Sequence, residues 1–180
     1  MIIGLFGKSG SGKTTACDFF FQNGFYIINA DKIGHEILSK GSHALSLVTN
    51  TFGFEYLDSD GKLNRKKLGK LVFSQKSALE RLNNITKPLI EEKIIKLIKE
   101  HENSVVDGAI LCDTKIFDYC DITVLIRSKY SAERIIKRDN LSNDDADSRL
   151  NSQIISENAD IIIDNDGSIE EFFQRLGKII

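Results

Sequence analysis

The sequence predicts an α/β fold, a mainly parallel five-stranded sheet flanked by helices and interrupted by an inserted helical segment. Three observations carry this expectation. Short apolar runs at 1–6, 25–28, 104–111, 122–126 and 160–164 are separated by stretches of helical periodicity, and alternating strands and helices pack as βα units around a parallel sheet. The first run leads straight into Gly7-Lys8-Ser9-Gly10-Ser11-Gly12-Lys13-Thr14-Thr15, which has the spacing of a phosphate-binding loop between strand and helix. From residue 32 to about 99 strand signals give way to helical ones, as expected of an insertion. A P-loop NTPase-like core is the architecture these features share.

The elements follow in order. Thr14 to Asn23 reads as a helix with Phe19, Phe20 and Phe21 in the core, closed at Gly24, a residue suited to the left-handed position beyond a helix. Phe25-Tyr26-Ile27-Ile28 is a second strand that delivers Asn29-Ala30-Asp31 to its carboxyl end, the edge where open α/β sheets bind ligands. Within the insertion, Ile33, Ile37 and Leu38 mark one helix. Leu45, Val48 and Phe52 mark another, ending at Gly53, and Asp58 to Gly61 is a turn. Asn64 is placed to cap a helix carrying Leu68, Leu71 and Val72; Ser77 with Glu80 reads as a capping box; Pro88 is expected to open the next helix. A basic segment, 127–153, separates the fourth and fifth strands, and Ser168 with Glu171 starts a terminal helix.

Composition bounds the function. The 180 residues suit one domain, 41% hydrophobic and 28% charged, with a net charge of −2. That balance offers no general attraction to nucleic acid or an anionic membrane, so an anionic ligand must be held by local positive charge in a pocket. Cys17, Cys112 and Cys120 have neither a Cys-x-x-Cys pair nor a histidine at zinc-ligand spacing, and reduced thiols are expected. No apolar stretch approaches a membrane span and the apolar start runs directly into the loop, so a cytoplasmic location is expected, with neither nucleic acid nor membrane as partner.

The chemistry centres on the loop. Glycines let backbone N–H groups turn inward around phosphate oxygens, the helix dipole points its positive end there, Lys13 supplies a mobile charge, and Thr14 offers Mg²⁺ a hydroxyl. The whole run Gly7 to Thr15 is therefore the expected ATP-binding loop. Asp31 reads either as a helix N-cap or as a general base toward an attacking hydroxyl; its negative charge suits a neutral acceptor better than a phosphate. Asp107, in the third strand, is either a Walker-B-like carboxylate for Mg²⁺ or a structural aspartate. Arg134 and Arg138 lie one helical turn apart, able to face one direction toward a transferring phosphoryl group, although a basic helix is also an ordinary solvated face. His35, His43 and His101 are scattered and receive no role.

Taken together, these motifs resemble the dephospho-coenzyme A kinase family over nearly the whole chain. The resemblance rests on Gly7-x4-Gly12-Lys13-Thr14, Asn29-Ala30-Asp31, Gly41-Ser42, Phe52-Gly53, Asp60-Gly61-Lys62-Leu63-Asn64-Arg65, Val72-Phe73, Pro88-Leu89-Ile90, Arg134 with Arg138-Asp139, Gln153, and Ala159 to Asn165. It implies transfer of the γ-phosphoryl group of ATP, with Mg²⁺, to the ribose 3′-hydroxyl of dephospho-coenzyme A, the last step of coenzyme A synthesis. It also implies one kinase domain with a core at 1–31, 100–127 and 154–180, a helical coenzyme A subdomain at 32–99 and a lid at 128–153. Asp31, Lys13 and Arg138 take the catalytic places. Arg134, Arg138 and Asn165 join the loop on the ATP side, Asp31, Arg65 and Lys87 stand on the acceptor side, and Thr14 and Asp107 serve the metal.

The chain departs from the family pattern at several places. Asn29 replaces the first aspartate of Asp-Ala-Asp, Lys87 stands where histidine precedes proline, Ala109-Ile110-Leu111 replaces Pro-Leu-Leu, Asp113 replaces glutamate, and the interval from Gln153 to Asp160 is short. Two rival readings remain at this stage: another P-loop small-molecule kinase, and a regulatory protein that binds nucleotide without turning it over.

Overall fold

The computed structural model describes residues 1–108, 114–153, 155 and 157–180. Within them the chain divides into two compact units, Met1–Asn29 with Leu97–Ile180, and Ala30–Lys96.

The first unit is built on five strands: β1 (Ile2–Phe6), β2 (Tyr26–Asn29), β3 (Ser104–Asp107), β4 (Ile122–Arg127) and β5 (Ile161–Asp164). They pair in parallel in the order β2-β3-β1-β4-β5. Every residue of β1 is buried, as a central strand covered on both faces requires. The chain leaves β1 toward β2 on one side and crosses from β3 to β4 on the other, so the carboxyl ends of β1 and β3 border the crevice where such sheets take ligands. The expected end of the third strand at Leu111, the departures at 109–111 and Asp113, and Cys112 lie outside the described residues.

Helix α1 (Lys13–Gln22) follows the loop, and α8 (Ile169–Leu176) returns at the end of the chain. Phe20 of α1 and Phe172 of α8 join Ile3, Leu5, Val105, Val124 and Ile126 in one apolar core. Fully burying each such side chain contributes roughly 1.5–3 kcal/mol. The three consecutive phenylalanines do not share this role: Phe20 is fully buried, Phe19 packs at the edge of the core and Phe21 is 68% exposed. A rotation of about 100° per residue cannot hold three neighbours on one face. The expected capping box of the terminal helix is present, Ser168 accepting from Glu171 N and the Glu171 carboxylate from Ser168 N.

The basic segment forms two helices, α6 (Ser131–Asp139) and α7 (Asn143–Asn151), broken at Asn140, whose φ of 52° closes α6 in the left-handed conformation. Both belong to the first unit.

The second unit holds α2 (Ala30–Glu36), α3 (His43–Phe52), α4 (Arg65–Ser74) and most of α5 (Lys76–Glu100), packed around Leu38, Val48, Leu68, Val72 and Ala78. Ser42 and Asn64 cap α3 and α4 through their side chains. Two expectations fail here. Ser77 lies inside α5 rather than at its cap, and Pro88 lies in its interior rather than at a start. The helix passes through proline because only one donor is lost, and apolar residues on both sides of it, Ala78 before and Ile90 and Ile94 after, are buried. Tertiary packing outweighs the local break.

Candidate phosphate-transfer site

The loop predicted from sequence joins the end of β1 to α1. Its glycines are required by geometry, as two of them show. Gly10 has φ of 79°, and a Cβ there would collide with the Ser131 carbonyl oxygen; Gly12 has φ of 108°, and a Cβ there would collide with the Asn165 carboxamide. Gly12 is also the N-cap of α1 and makes no side-chain cap bond, so the first N–H groups of this ten-residue helix receive no side chain from the capping position and suit an anion. Lys13 Nζ donates to the Gly7 and Lys8 carbonyls at 2.7 and 3.2 Å, folding its ammonium back over the loop. Thr14 is exposed in the first turn and Thr15 is half-buried.

Three neighbours hold the loop's shape. The buried Asn165 carboxamide donates to Ser11 O at 2.8 Å. Arg134, from α6, donates to Asn165 O at 3.0 Å and more weakly to Gly10 O and Ser11 O at 3.3 and 3.5 Å. Gln153, just beyond α7, accepts from Ser9 N and donates through Nε2 to Ser9 Oγ, both at 2.8 Å. Asp166 completes the arrangement below α6. It accepts from Lys129 N and the Ser128 hydroxyl, and the Lys129 bond above all holds its carboxyl below the usual range.

The two arginines of α6 have different partners. Arg134 reaches the loop, whereas Arg138 pairs with Asp139 at 2.7 and 2.8 Å. Arg149 of α7 joins the same carboxylate at 2.7 Å, tying α7 to α6. Hydrogen bonds from Arg138 foremost, and from Arg149, lower the Asp139 carboxyl to a pKa of about 2. A cleft of about 390 Å³ opens on this side of the loop, bounded by Lys8, Ser11, the end of β4, and Asp147 and Leu150 of α7.

Asp107 ends β3 in register with Leu5, two residues ahead of Gly7. Asn29, at the end of β2, donates Nδ2 to Asp107 Oδ2 at 3.1 Å, a bond that an aspartate at position 29 makes only when protonated. Cys17 and Cys120 are free thiols, pushed up to about 12 by burial first, which makes them inert rather than nucleophilic.

The residues expected on the acceptor side, Asp31, Arg65 and Lys87, lie in the second unit. Asp31 is exposed in the first turn of α2. Because Ala30 already belongs to that helix, Asp31 is not its N-cap. Arg65 opens α4, exposed, and donates to His35 O at 2.8 Å. It lines a cleft of about 340 Å³ with Lys40 and Lys62, which neither Asp31 nor the half-buried Lys87 of α5 lines.

Sequence reasoning placed Asn165 on the ATP side but missed three contacts. Asn165 braces the underside of the loop, Gln153 clasps its tip, and Asp139 is shared between two arginines. Gln153 was legible only as part of a resemblance, without a role; nothing in local spacing announces a contact across 144 residues.

Known proteins sharpen this picture. The family model for dephospho-CoA kinase matches residues 1–171. The chain belongs to that family. A dephospho-CoA kinase of Fusobacterium nucleatum is 34% identical across 99% of this chain and 96% of its own length. One of Carboxydothermus hydrogenoformans is 37% identical across 99% and 92%. Among solved structures, the dephospho-CoA kinase of Campylobacter jejuni superposes with a TM-score of 0.65 at 31% identity, over 99% of this chain and 94% of that one. TT1252 of Thermus thermophilus, at 21% identity and a TM-score of 0.83, shares the fold over 99% and 95%, as does a Bacteroides thetaiotaomicron shikimate kinase at 15% and 0.59 over 99% and 97%. As a dephospho-CoA kinase family member the chain is an ATP-dependent kinase with a hydroxyl acceptor, and its family acts at the final step of coenzyme A biosynthesis.

Proposed function

We propose that this chain transfers the γ-phosphoryl group of Mg²⁺-bound ATP to the ribose 3′-hydroxyl of dephospho-coenzyme A, with the phosphate loop, Lys13, Asp31 and Arg138 as its working parts. The observation that carries the reading is the loop itself: glycines that admit no side chain at Gly10 and Gly12, a helix start without a side-chain cap, and Lys13 folded above them. These groups bind and neutralise a polyphosphate, which is most of what a protein supplies to phosphoryl transfer. Arg134 and Asn165 support the reading from beneath the loop by fixing its carbonyls, which leaves the N–H groups to the ligand. Arg138, one helical turn beyond Arg134, is the guanidinium that moves from Asp139 to the transferring group. Asp31 accepts the acceptor's proton, a role suited to an exposed carboxylate that does not cap its helix. Arg65 and Lys87 bind the acceptor's anionic groups.

Mg²⁺ fits the donors present. The Thr14 hydroxyl in the first turn of α1 and the Asp107 carboxylate at the end of β3 are hard oxygen ligands on neighbouring elements. Magnesium takes its remaining ligands from phosphate and water. When bound, it neutralises charge on the phosphates.

The described residues contain no helix long and apolar enough to cross a membrane. Work in the cytoplasm on small molecules rather than nucleic acid belongs to the same proposal, and the net charge of −2 supports it. The test is ADP release from ATP in the presence of dephospho-coenzyme A and of a panel of nucleosides and sugars. Release that depends on dephospho-coenzyme A supports the reading; equal or greater release with another alcohol replaces it with a different kinase activity.

A further inference from the structure

We infer that the cleft beside the loop binds a small organic acid, with the acid's carboxylate on the Ser11 hydroxyl and the Lys8 ammonium and its apolar body between β4 and α7. The site is separate from the phosphate-transfer reading and goes beyond it. The cleft holds about 390 Å³, and Leu125 of β4, Ala132 of α6 and Leu150 of α7 give it apolar walls, a size and lining suited to a small molecule. None of Lys13, Thr14, Arg134, Arg138 or Asn165 lines it. Ser11 supplies the observation that points to a ligand. It is 1% exposed, and its hydroxyl has no hydrogen-bond partner among the described residues, whereas a buried hydroxyl is as a rule bonded. Its other polar groups are turned elsewhere: the N–H donates to Lys8 O at 3.2 Å, and the carbonyl accepts from Asn165 Nδ2 at 2.8 Å and weakly from Arg134 Nη1 at 3.5 Å. Since those two donors lie outside the cleft and Ser11 lines it, the side chain is the part of Ser11 left to face it.

Charge selects the class of ligand. Around the cleft Lys8, Arg127 and Lys129 are cations, while Asp147 and Glu157 are carboxylates. Arg127 is paired with Asp164 at 2.9 Å, and both carboxylates come from α7 and the segment after it, not from the loop. Lys8 forms no ion pair among the described residues and stands in the same turn as Ser11. The loop end of the cleft therefore offers an O–H donor and an ammonium, and a carboxylate accepts from both in charge-assisted bonds. An amine in that place meets Lys8 with like charge.

The experiment titrates benzoate and benzylamine, one ring with opposite charges, into the full-length chain and follows the methyl resonances of Leu125 and Leu150, for wild type, Ser11→Ala and Ala132→Phe. Benzoate moves both sets of methyls in wild type and binds at least tenfold more tightly than benzylamine. Ser11→Ala weakens benzoate about tenfold or more, as expected for a lost hydrogen bond to a charged group, and Ala132→Phe, which fills the space, abolishes binding. Without a probe Ser11→Ala also raises the melting midpoint, because it removes a buried hydroxyl that has no partner. A lowered midpoint shows a hydroxyl already bonded within the protein and overturns the inference. So do unmoved methyls at high millimolar benzoate, equal binding of benzylamine, and unchanged benzoate binding by folded Ser11→Ala. Should a variant fail to fold, the wild-type shifts with the two probes decide. Saturating ADP leaves benzoate bound; displacement by ADP assigns the cleft to the nucleotide and overturns a separate site. A chain that binds benzoate at these methyls but no ADP supports the site while overturning the nucleotide reading alone.

Discussion

Gly10→Ala tests whether the loop is held by close approach as well as by backbone freedom. Two costs apply at this residue. Its φ of 79° is unfavourable for an L side chain, about 1–2 kcal/mol. The new Cβ would also meet the Ser131 carbonyl oxygen and carbon and stand 3.0 Å from Ile135 Cγ2; two of these are backbone atoms at the start of α6 and do not rotate away, which adds roughly 1–3 kcal/mol of overpacking. Gly24→Ala isolates the first cost, since Gly24 has φ of 86° with nothing within 4 Å of its Cβ position. Gly24→Ala is expected to lose only about 1–2 kcal/mol, and Gly10→Ala about 2–5 kcal/mol. For a chain of this size each kcal/mol lowers the melting midpoint by about 2–4 °C. Urea unfolding of both variants, with ADP titration of the folded proteins, measures the difference. Gly24→Ala binds ADP like wild type, while Gly10→Ala, whose loop must move off α6, binds at least tenfold more weakly on the scale of lost positioning contacts. Equal stability of the two variants with wild-type ADP affinity in Gly10→Ala refutes the argument.

The other expectations concern charge. Lys13→Ala is expected to keep the melting midpoint within a few degrees and to lower turnover about 10²- to 10³-fold; wild-type turnover by the folded variant removes Lys13 from the chemistry. Asp31→Asn removes the proposed proton acceptor from an exposed position in the first turn of α2, so stability is expected to hold while turnover falls on the order of 10²- to 10⁴-fold, and melting with ADP release on one preparation decides it. Asp139 has its folded pKa depressed from 3.8 to about 2, by the Arg138 hydrogen bond first. Its contribution is therefore present above the unfolded value and lost as pH falls toward 2, so the melting difference between wild type and Asp139→Asn is constant above about pH 5 and shrinks below pH 4. A difference that grows with acid contradicts the sign.

What was legible in the sequence followed from local chemistry. Glycines at fixed spacing between an apolar run and Lys13 identify the loop because the backbone geometry permits few alternatives, and Asn64 and Ser168 each cap the helix their spacing announces. Local rules failed where packing overrode them: Pro88 sits inside a 25-residue helix, and Phe21 faces solvent beside the buried Phe20. The bracing of the loop was not readable at all. Asn165 and Gln153 reach Ser11 and Ser9 from 154 and 144 residues away, and contacts of that separation are set by the closure of the sheet rather than by neighbouring residues. The same limit applies to Arg134 and Arg138. Helical spacing puts them on one side, yet only the tertiary structure shows one on the loop and the other on Asp139.

The central claim is most directly tested by identifying the phosphorylated product. Purified chain, ATP, Mg²⁺ and dephospho-coenzyme A are incubated and the nucleotide products are resolved by mass and ³¹P spectroscopy, with ADP measured in the same samples. The account predicts one ADP for each coenzyme A formed, with the new phosphate on the ribose 3′ position and no ADP when the acceptor is left out. Folded protein that binds ATP but forms no 3′-phosphorylated product, or that phosphorylates a different alcohol in preference, contradicts it.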